Sequence, residues 1–170
     1  NEKKAFAGYL SEMDKILASS SGGIATALAE LVIEEGGRVA GAVYTQDFCG
    51  VQHRLADNSQ DLTQFKGSKY CQSDKSSIYS QIKDLLRSGD QVLFTGLPCE
   101  AAAVRSFAGT AQERLITCEL VCHEPTSSRV QTQYIRRMEK RFNTSVQSLN
   151  LRYKKDERWG HAYMHMIFQN

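Results

Sequence analysis

The sequence predicts an α/β fold: a mixed sheet with at least one parallel βαβ unit, helices packed on that sheet, and antiparallel strands at the C-terminus. Three stretches carry this reading. Val92, Leu93 and Phe94 form a short continuous apolar run, entered from the turn signal Gly89-Asp90 and broken at Gly96, which is how a strand buried on both faces reads. Pro98 suits the first turn of a helix, where its missing N–H is not needed, and Ala101, Ala102, Ala103 and Val104 continue that helix until Gly109. Leu115 to Val121 reads as the next strand, so strand, helix and strand with short links make the two strands parallel.

The other elements follow in chain order. Residues 1 to 17 have poor periodicity and are read as a first strand and a turn, with Phe6, Gly8 and Tyr9 leading to Met13, Ile16 and Leu17. After Ser19-Ser20-Ser21-Gly22-Gly23, the spacing of Ile24, Ala27, Leu28, Leu31 and Val32 predicts a helix with these residues on one face, ended by Gly36-Gly37. Arg38 to Tyr44 and Cys49 to Leu55 read as strands of a hairpin, and Asp57-Asn58 opens a short helical or irregular piece through Phe65. Ile78, Ile82, Leu85 and Leu86 mark one side of a second amphipathic helix, closed by Gly89. A further helix presents Val130, Tyr134, Ile135, Met138 and Phe142 inward. The tail alternates through Leu149, Leu151 and Tyr153, turns, and returns from Ala162 to Phe168 as an antiparallel partner.

Composition narrows the function. A chain of 170 residues, 41% hydrophobic and 24% charged, suits one core, so residues 1–170 are expected to form a single α/β domain. The missing initiator Met and an end inside a strand-like segment suggest a fragment of a longer chain. A net charge of +2, with no basic block beyond Arg136-Arg137 and Lys140-Arg141, does not imply nucleic acid. No apolar run reaches the ~18 residues that cross a bilayer, and no signal-like region follows the N-terminus, so a cytoplasmic protein without a membrane span is expected. Five cysteines, an odd number with no secretory feature, favour thiols, a metal or a cluster over disulfides.

Cys99 is the expected centre of chemistry. A thiol at a helix start faces unpaired backbone N–H groups and the positive end of the dipole, which favour a thiolate able to act as nucleophile or metal ligand. Cys122 follows the next parallel strand, so Cys99 and Cys122 should share the rim of the sheet where open α/β folds bind ligands. Cys118, four strand residues from Cys122 and so ~13 Å away at ~3.3 Å per residue, belongs to the core, as does Cys71. Ser20, Ser21, Gly22 and Gly23 offer an anion a helix N-terminus, although one serine cap would explain them as well. Lys66, Gly67, Ser68, Lys69 and Tyr70 suit either a loop gripping a phosphorylated ligand, with Tyr70 stacking on a ring, or a solvated turn. His161 and His165 stand four apart, yet the segment alternates like a strand, against zinc ligation.

Taken together, Ser-Ser-Ser-Gly-Gly at 19–23, Gly-Ser-Lys-Tyr at 67–70 with Gln72-Ser73, Val92 to Gly96 with Pro98-Cys99, Val121-Cys122-His123, and Lys154 with Trp159 occur in an order that resembles the coenzyme F420 hydrogenase/dehydrogenase beta-subunit family. The resemblance implies a flavin- and iron–sulfur-dependent oxidoreductase moving electrons between an electron-donor subunit or small-molecule redox partner and a two-electron acceptor. It implies FAD bound by Ser20, Ser21, Gly22, Gly23, Lys66, Gly67, Ser68, Lys69 and Tyr70, with Gly96 and Pro98 as further cofactor-binding residues. It also implies a 4Fe-4S cluster with Cys99 and Cys122 as two ligands, incomplete here unless Cys49 or Cys71 substitutes, because the family's later cysteine pair is absent. Departures are Leu97 where Thr is usual, Glu100 where Gln is usual, and Glu124 where Gly is usual; a carboxylate beside a cluster or flavin would disfavour the reduced state. Two alternatives stand: a cofactor-free binding module of the same fold associated with polysaccharide biosynthesis, and thiol chemistry at Cys99 with His123 as base.

Overall fold

The structure, a computed structural model, describes residues 4–155 and 163–169. Its elements are α1 (Met13–Ala18), α2 (Ile24–Glu34), β1 (Arg38–Tyr44), β2 (Val51–Ala56), a 3-10 turn (Asp61–Phe65), β3 (Ser73–Asp74), α3 (Ile78–Ser88), β4 (Val92–Gly96), α4 (Pro98–Ala108), β5 (Leu115–Glu119), α5 (Ser128–Phe142), β6 (Val146–Tyr153) and β7 (Tyr163–Phe168). Five strands form one sheet in the order β3-β2-β1-β4-β5, and β6 pairs with β7. β1 and β2 are an antiparallel hairpin, while β1–β4, β4–β5 and β2–β3 are parallel. The mixed sheet, the parallel β4-α4-β5 unit and the antiparallel β6–β7 pair are the architecture the sequence predicts.

β4 lies between β1 and β5, and its Val92, Leu93 and Phe94 are all fully buried, with their side chains shared between two faces. On one face Phe94 joins Ala40, Ile78, Ile82, Leu86 and Val104, so α3 and α4 cover it. On the other, Leu93 joins Ala29, Val32, Val39, Ala56 and Leu62, covered by α2 and the 3-10 turn. Ile82 and Leu86 recur at one helical spacing from Ile78, and Gly89, left-handed at φ 91°, lets its own N–H and that of Asp90 close on the last carbonyls of α3. A third cluster, Cys49, Ile135, Val146 and Leu149, seats α5 and the β6–β7 pair beside the β1–β2 turn.

Several expectations are corrected. Residues 4–12 contain no strand; the first element is the short helix α1. On α2 only Ala29 and Val32 are buried, and Ile24, Leu28 and Leu31 are exposed, because the helix presents its smallest side to the sheet. On α5 only Ile135 is fully buried, while Val130, Tyr134 and Phe142 are exposed. Tyr134 instead donates from its hydroxyl to Met164 Sδ, and the Phe142 ring lies 4.8 Å from that of Phe168. β5 stops at Glu119, two residues short of the predicted end, and Val121 is almost wholly exposed. The two-residue β3 carries no apolar period and escaped the reading. Trp159 and His161 lie outside the described residues; His165 sits on β7, its ring stacked on Tyr153 at 4.5 Å.

Candidate functional site

Gly96 pairs with Glu119 at the carboxyl ends of β4 and β5, and Leu120 N–H donates to Gly96 O at 2.9 Å. From this shared last rung the two chains depart, one into Pro98-Cys99 at the start of α4, the other into the loop holding Cys122. Both thiols leave the same rim, and both are exposed. Gly96 has to be glycine, since a Cβ there would come within 2.6 Å of the Phe94 ring and 2.8 Å of Glu100 Oε2. The Cys122 loop turns at Glu124, whose φ of 70° is left-handed and whose N–H donates to Cys122 Sγ at 3.2 Å.

Glu100 is buried rather than a loose charge at the rim. Its Oε2 accepts Leu97 N–H at 2.9 Å, closing the helix start, and its Oε1 meets Lys75 Nζ at 2.7 Å. Lys75 also donates to the Ser73 carbonyl and hydroxyl at 2.6 and 2.7 Å. His53 continues the network: Nε2 donates to the Thr95 carbonyl at 3.1 Å, so Nδ1 accepts from the Ser73 hydroxyl at 2.9 Å. Burial pushes the imidazole below its ordinary pKa, and the ring stacks on Phe94 at 5.1 Å. The carboxylate that the sequence marked as an electrostatic burden on a reduced centre is therefore paired.

Three loops, distant along the chain, converge here. Ser68 Oγ donates to Ser20 Oγ at 2.8 Å, joining the 66–70 loop to the loop before α2. Thr126 donates to Tyr70 O from both its backbone N–H and its hydroxyl, and its carbonyl accepts from Gln72 N–H, which ties the 66–73 loop to the Cys122 loop. Lys154 reaches the carbonyls of Ile16 and Ser21 from the end of β6. Tyr70 is half exposed, and Gly67, left-handed at φ 83°, has nothing within 4 Å of where a Cβ would sit. Near Tyr70 and Cys71, the buried Tyr44 hydroxyl has no hydrogen-bond partner among the described residues, and burial raises its pKa.

Other predicted site residues do different work. Lys69 Nζ donates to the carbonyls of Phe65, Lys66 and Gly67 at 3.0 to 3.2 Å, so its three donors organise the loop; burial brings its pKa down to about 8. Gly22 and Gly23 lack side chains because Tyr9 and Leu10 pack there: a Cβ would lie 2.9 Å from Tyr9 Cβ and 2.5 Å from Leu10 Cδ1. Leu10 N–H also donates to Gly22 O. Cys49 and Cys71 are buried, their thiol pKa values raised by burial, and Cys118 is half-buried with its pKa raised the same way.

A flavin and a cluster differ in fit. Open Gly67, paired Ser20 and Ser68, half-exposed Tyr70 and the orphaned Tyr44 hydroxyl suit a flavin nucleotide between the loops. A four-iron cluster takes four thiolates, and among the described residues no three His, Cys, Asp or Glu side chains stand together in a metal-binding group. Cys99 and Cys122 are two exposed thiols on one rim. Sequence reading missed Tyr44, His53, Lys75 and Thr126, whose roles depend on contacts between distant segments; only the hydroxyl-rich run around Ser73 hinted at one.

Residues 5–79 match the model of the N-terminal part of the coenzyme F420 hydrogenase/dehydrogenase beta subunit, and residues 89–168 match that of its C-terminal part. No curated protein matches the chain in sequence. Among solved structures it is similar to a chain of the F420-reducing NiFe hydrogenase complex from Methanosarcina barkeri, with a TM-score of 0.64 and 22% identity, over 94% of this chain and 58% of that one. That likeness is one of fold, and this chain spans little more than half the length of its neighbour.

Proposed function

The chain belongs to the coenzyme F420 hydrogenase/dehydrogenase beta-subunit family, and on that premise we propose that it is the electron-transferring part of a flavin-dependent oxidoreductase. The observation that carries the reading is the convergence of the three loops, held by Ser20 with Ser68 and by Tyr70 with Thr126. Ser20, Ser21, Gly67 and Ser68 would bind the phosphates of FAD, and Tyr70 would stack on a ring. FAD, when bound, supplies exchange of a hydride or two electrons with an acceptor such as a deazaflavin. The chain's own part is to bind and orient. Lys69 shapes the loop from within, and the Lys75–Glu100 pair holds the turn that presents Cys99. Cys99 and Cys122 would supply two ligands to an iron–sulfur centre completed by other residues, with an electron-donor subunit or small-molecule redox partner.

A second reading, a cofactor-free binding module of this fold, draws support from Tyr9 and Leu10 filling the cradle at Gly22 and Gly23. An optical spectrum of the full-length protein purified without oxygen separates the two. Flavin bands near stoichiometry are expected; a protein that carries no flavin and takes up none when FAD is added would overturn the oxidoreductase reading.

A further inference from the structure

We propose that the outward face of α5, together with the end of β6, is a docking surface for the acidic face of a one-electron carrier protein. This inference rests on the oxidoreductase reading above and gives its electron-donating partner a charge. Charge is divided unevenly along the chain. Residues 125–155 hold eight of its 21 Lys and Arg but only one of its 19 Asp and Glu, Glu139, so this stretch is strongly positive and the remainder is net negative.

Packing decides which way those cations point. Ile135 is fully buried, Gln131 Nε2 donates to Phe48 O at 3.0 Å, and Thr132 Oγ donates to Cys49 O at 3.1 Å, which fixes the inner side of α5. At about 3.6 residues per turn, Arg129, Arg136, Arg137 and Lys140 fall on the opposite side, and all four are exposed. Arg136 binds Asp47 at 3.0 Å and Glu139 at 2.9 Å. Both nearby acids are thereby engaged, and among the described residues Arg129, Arg137 and Lys140 have no carboxylate partner. The end of β6 adds to the same region. Lys154 reaches the Ser21 carbonyl, Ser20 is bonded to Ser68, and Thr126, just before α5, is bonded to Tyr70, so the end of β6 and the start of α5 meet at the same loops. Arg152 is exposed there, and its charge, after burial, lowers the pKa of Lys154.

Charge and position select the occupant. α5 opens at Ser128, six residues after the exposed Cys122, so the positive surface borders the rim of the candidate site, where Glu124 is the one acid of the loop. From Arg129 to Lys140 the stripe runs about 17 Å at ~1.5 Å per residue, a span that suits the small, weak contact of an electron-transfer encounter. A field of this kind acts chiefly by steering an oppositely charged partner to the right face. A lipid surface would need an apolar side presented next to the cations, and the side of α5 centred on Ile135 is spent on the third core cluster. A nucleic acid, a long polyanion, would meet the net-negative remainder of the chain.

Flavodoxin, a small acidic one-electron carrier, is the probe, titrated calorimetrically into the full-length protein at low and at physiological salt. Binding at low salt that weakens about tenfold at physiological salt is expected. Arg137→Glu with Lys140→Glu should weaken it at least ~tenfold, while Arg87→Glu with Arg114→Glu, the same change of charge on exposed side chains of other elements, should leave it within about twofold. The proposal is overturned if flavodoxin does not bind at low salt, if the two double variants lose affinity equally, or if duplex DNA or phosphatidylserine vesicles bind more tightly than flavodoxin. Should the α5 glutamate pair fail to fold, undiminished binding to Arg137→Gln with Lys140→Gln overturns it. Flavin content is read on the same preparation before titration. Flavin-loaded protein that fails to bind overturns the docking surface alone; protein that takes up no FAD yet binds through α5 overturns the oxidoreductase reading while the surface stands.

Discussion

Lys75 Nζ lies 2.7 Å from Glu100 Oε1, with the two side chains only 14% and 11% exposed. The pair joins the short strand β3 to the helix start that presents Cys99, and Lys75 spends its remaining donors on Ser73. Removing one partner leaves a buried charge uncompensated. Lys75→Met is expected to destabilise the fold by about 3–5 kcal/mol, and adding Glu100→Gln to it should recover most of that loss. Urea denaturation of the two single variants and the double variant checks this; additive losses would contradict the pairing.

Glu124 occupies a left-handed φ of 70° that costs a non-glycine residue about 1–2 kcal/mol. Glu124→Gly is therefore expected to stabilise the protein by about 1 kcal/mol after allowing for the greater freedom of glycine in the unfolded chain. Glu124→Val should lower the melting temperature. Thermal unfolding of the pair of variants decides the matter, and equal shifts in both would remove the strain argument.

His53 is buried, and burial holds its pKa below the ordinary 6.5. Below pH 6.5 the unfolded chain takes up a proton that the folded one resists, so stability falls as pH drops from there toward the folded value. His53→Gln should flatten this part of the stability profile. Denaturation midpoints between pH 7 and 5 test it, and an unchanged slope in the variant would count against the assignment.

The Ser20–Ser68 hydrogen bond spans two loops, and Ser68→Ala removes it. A single bond of this kind is worth about 1 kcal/mol, so under the proposed flavin-dependent reading FAD affinity should weaken about fivefold with the fold intact. Fluorescence quenching on FAD titration reads the change. Affinity equal to wild type would show that the hydroxyl pair has no part in the proposed nucleotide site.

Exposure divides the thiols. In the folded protein freed of iron, Cys99 and Cys122 should react with iodoacetamide, while Cys49 and Cys71 should react only on unfolding, because burial both covers them and raises their pKa. Mass spectrometry of alkylated peptides reads the order; rapid native labelling of Cys49 would place it outside the third core.

The amphipathic period of α3, the breaks at Gly89 and Gly96 and the apolar run of β4 are local facts, and they led to the right elements and to a common rim for Cys99 and Cys122. Gly22 and Gly23 show where local reading stops. A missing Cβ announces close approach without naming what approaches, and here it is Tyr9 and Leu10. Likewise, Lys69 in a hydroxyl-rich loop reads as a cation for a phosphate, until three carbonyls of its own loop are seen to occupy it.

Strand, helix and crossover order is written in the chain because it follows from spacing, turn chemistry and the shortness of the connections, all of which act between neighbours. Partnership is not, because it arises when segments far apart meet. The pairing of Glu100 with Lys75, of Ser20 with Ser68 and of Tyr70 with Thr126 exists only once the sheet has set its register and brought those segments within hydrogen-bonding reach.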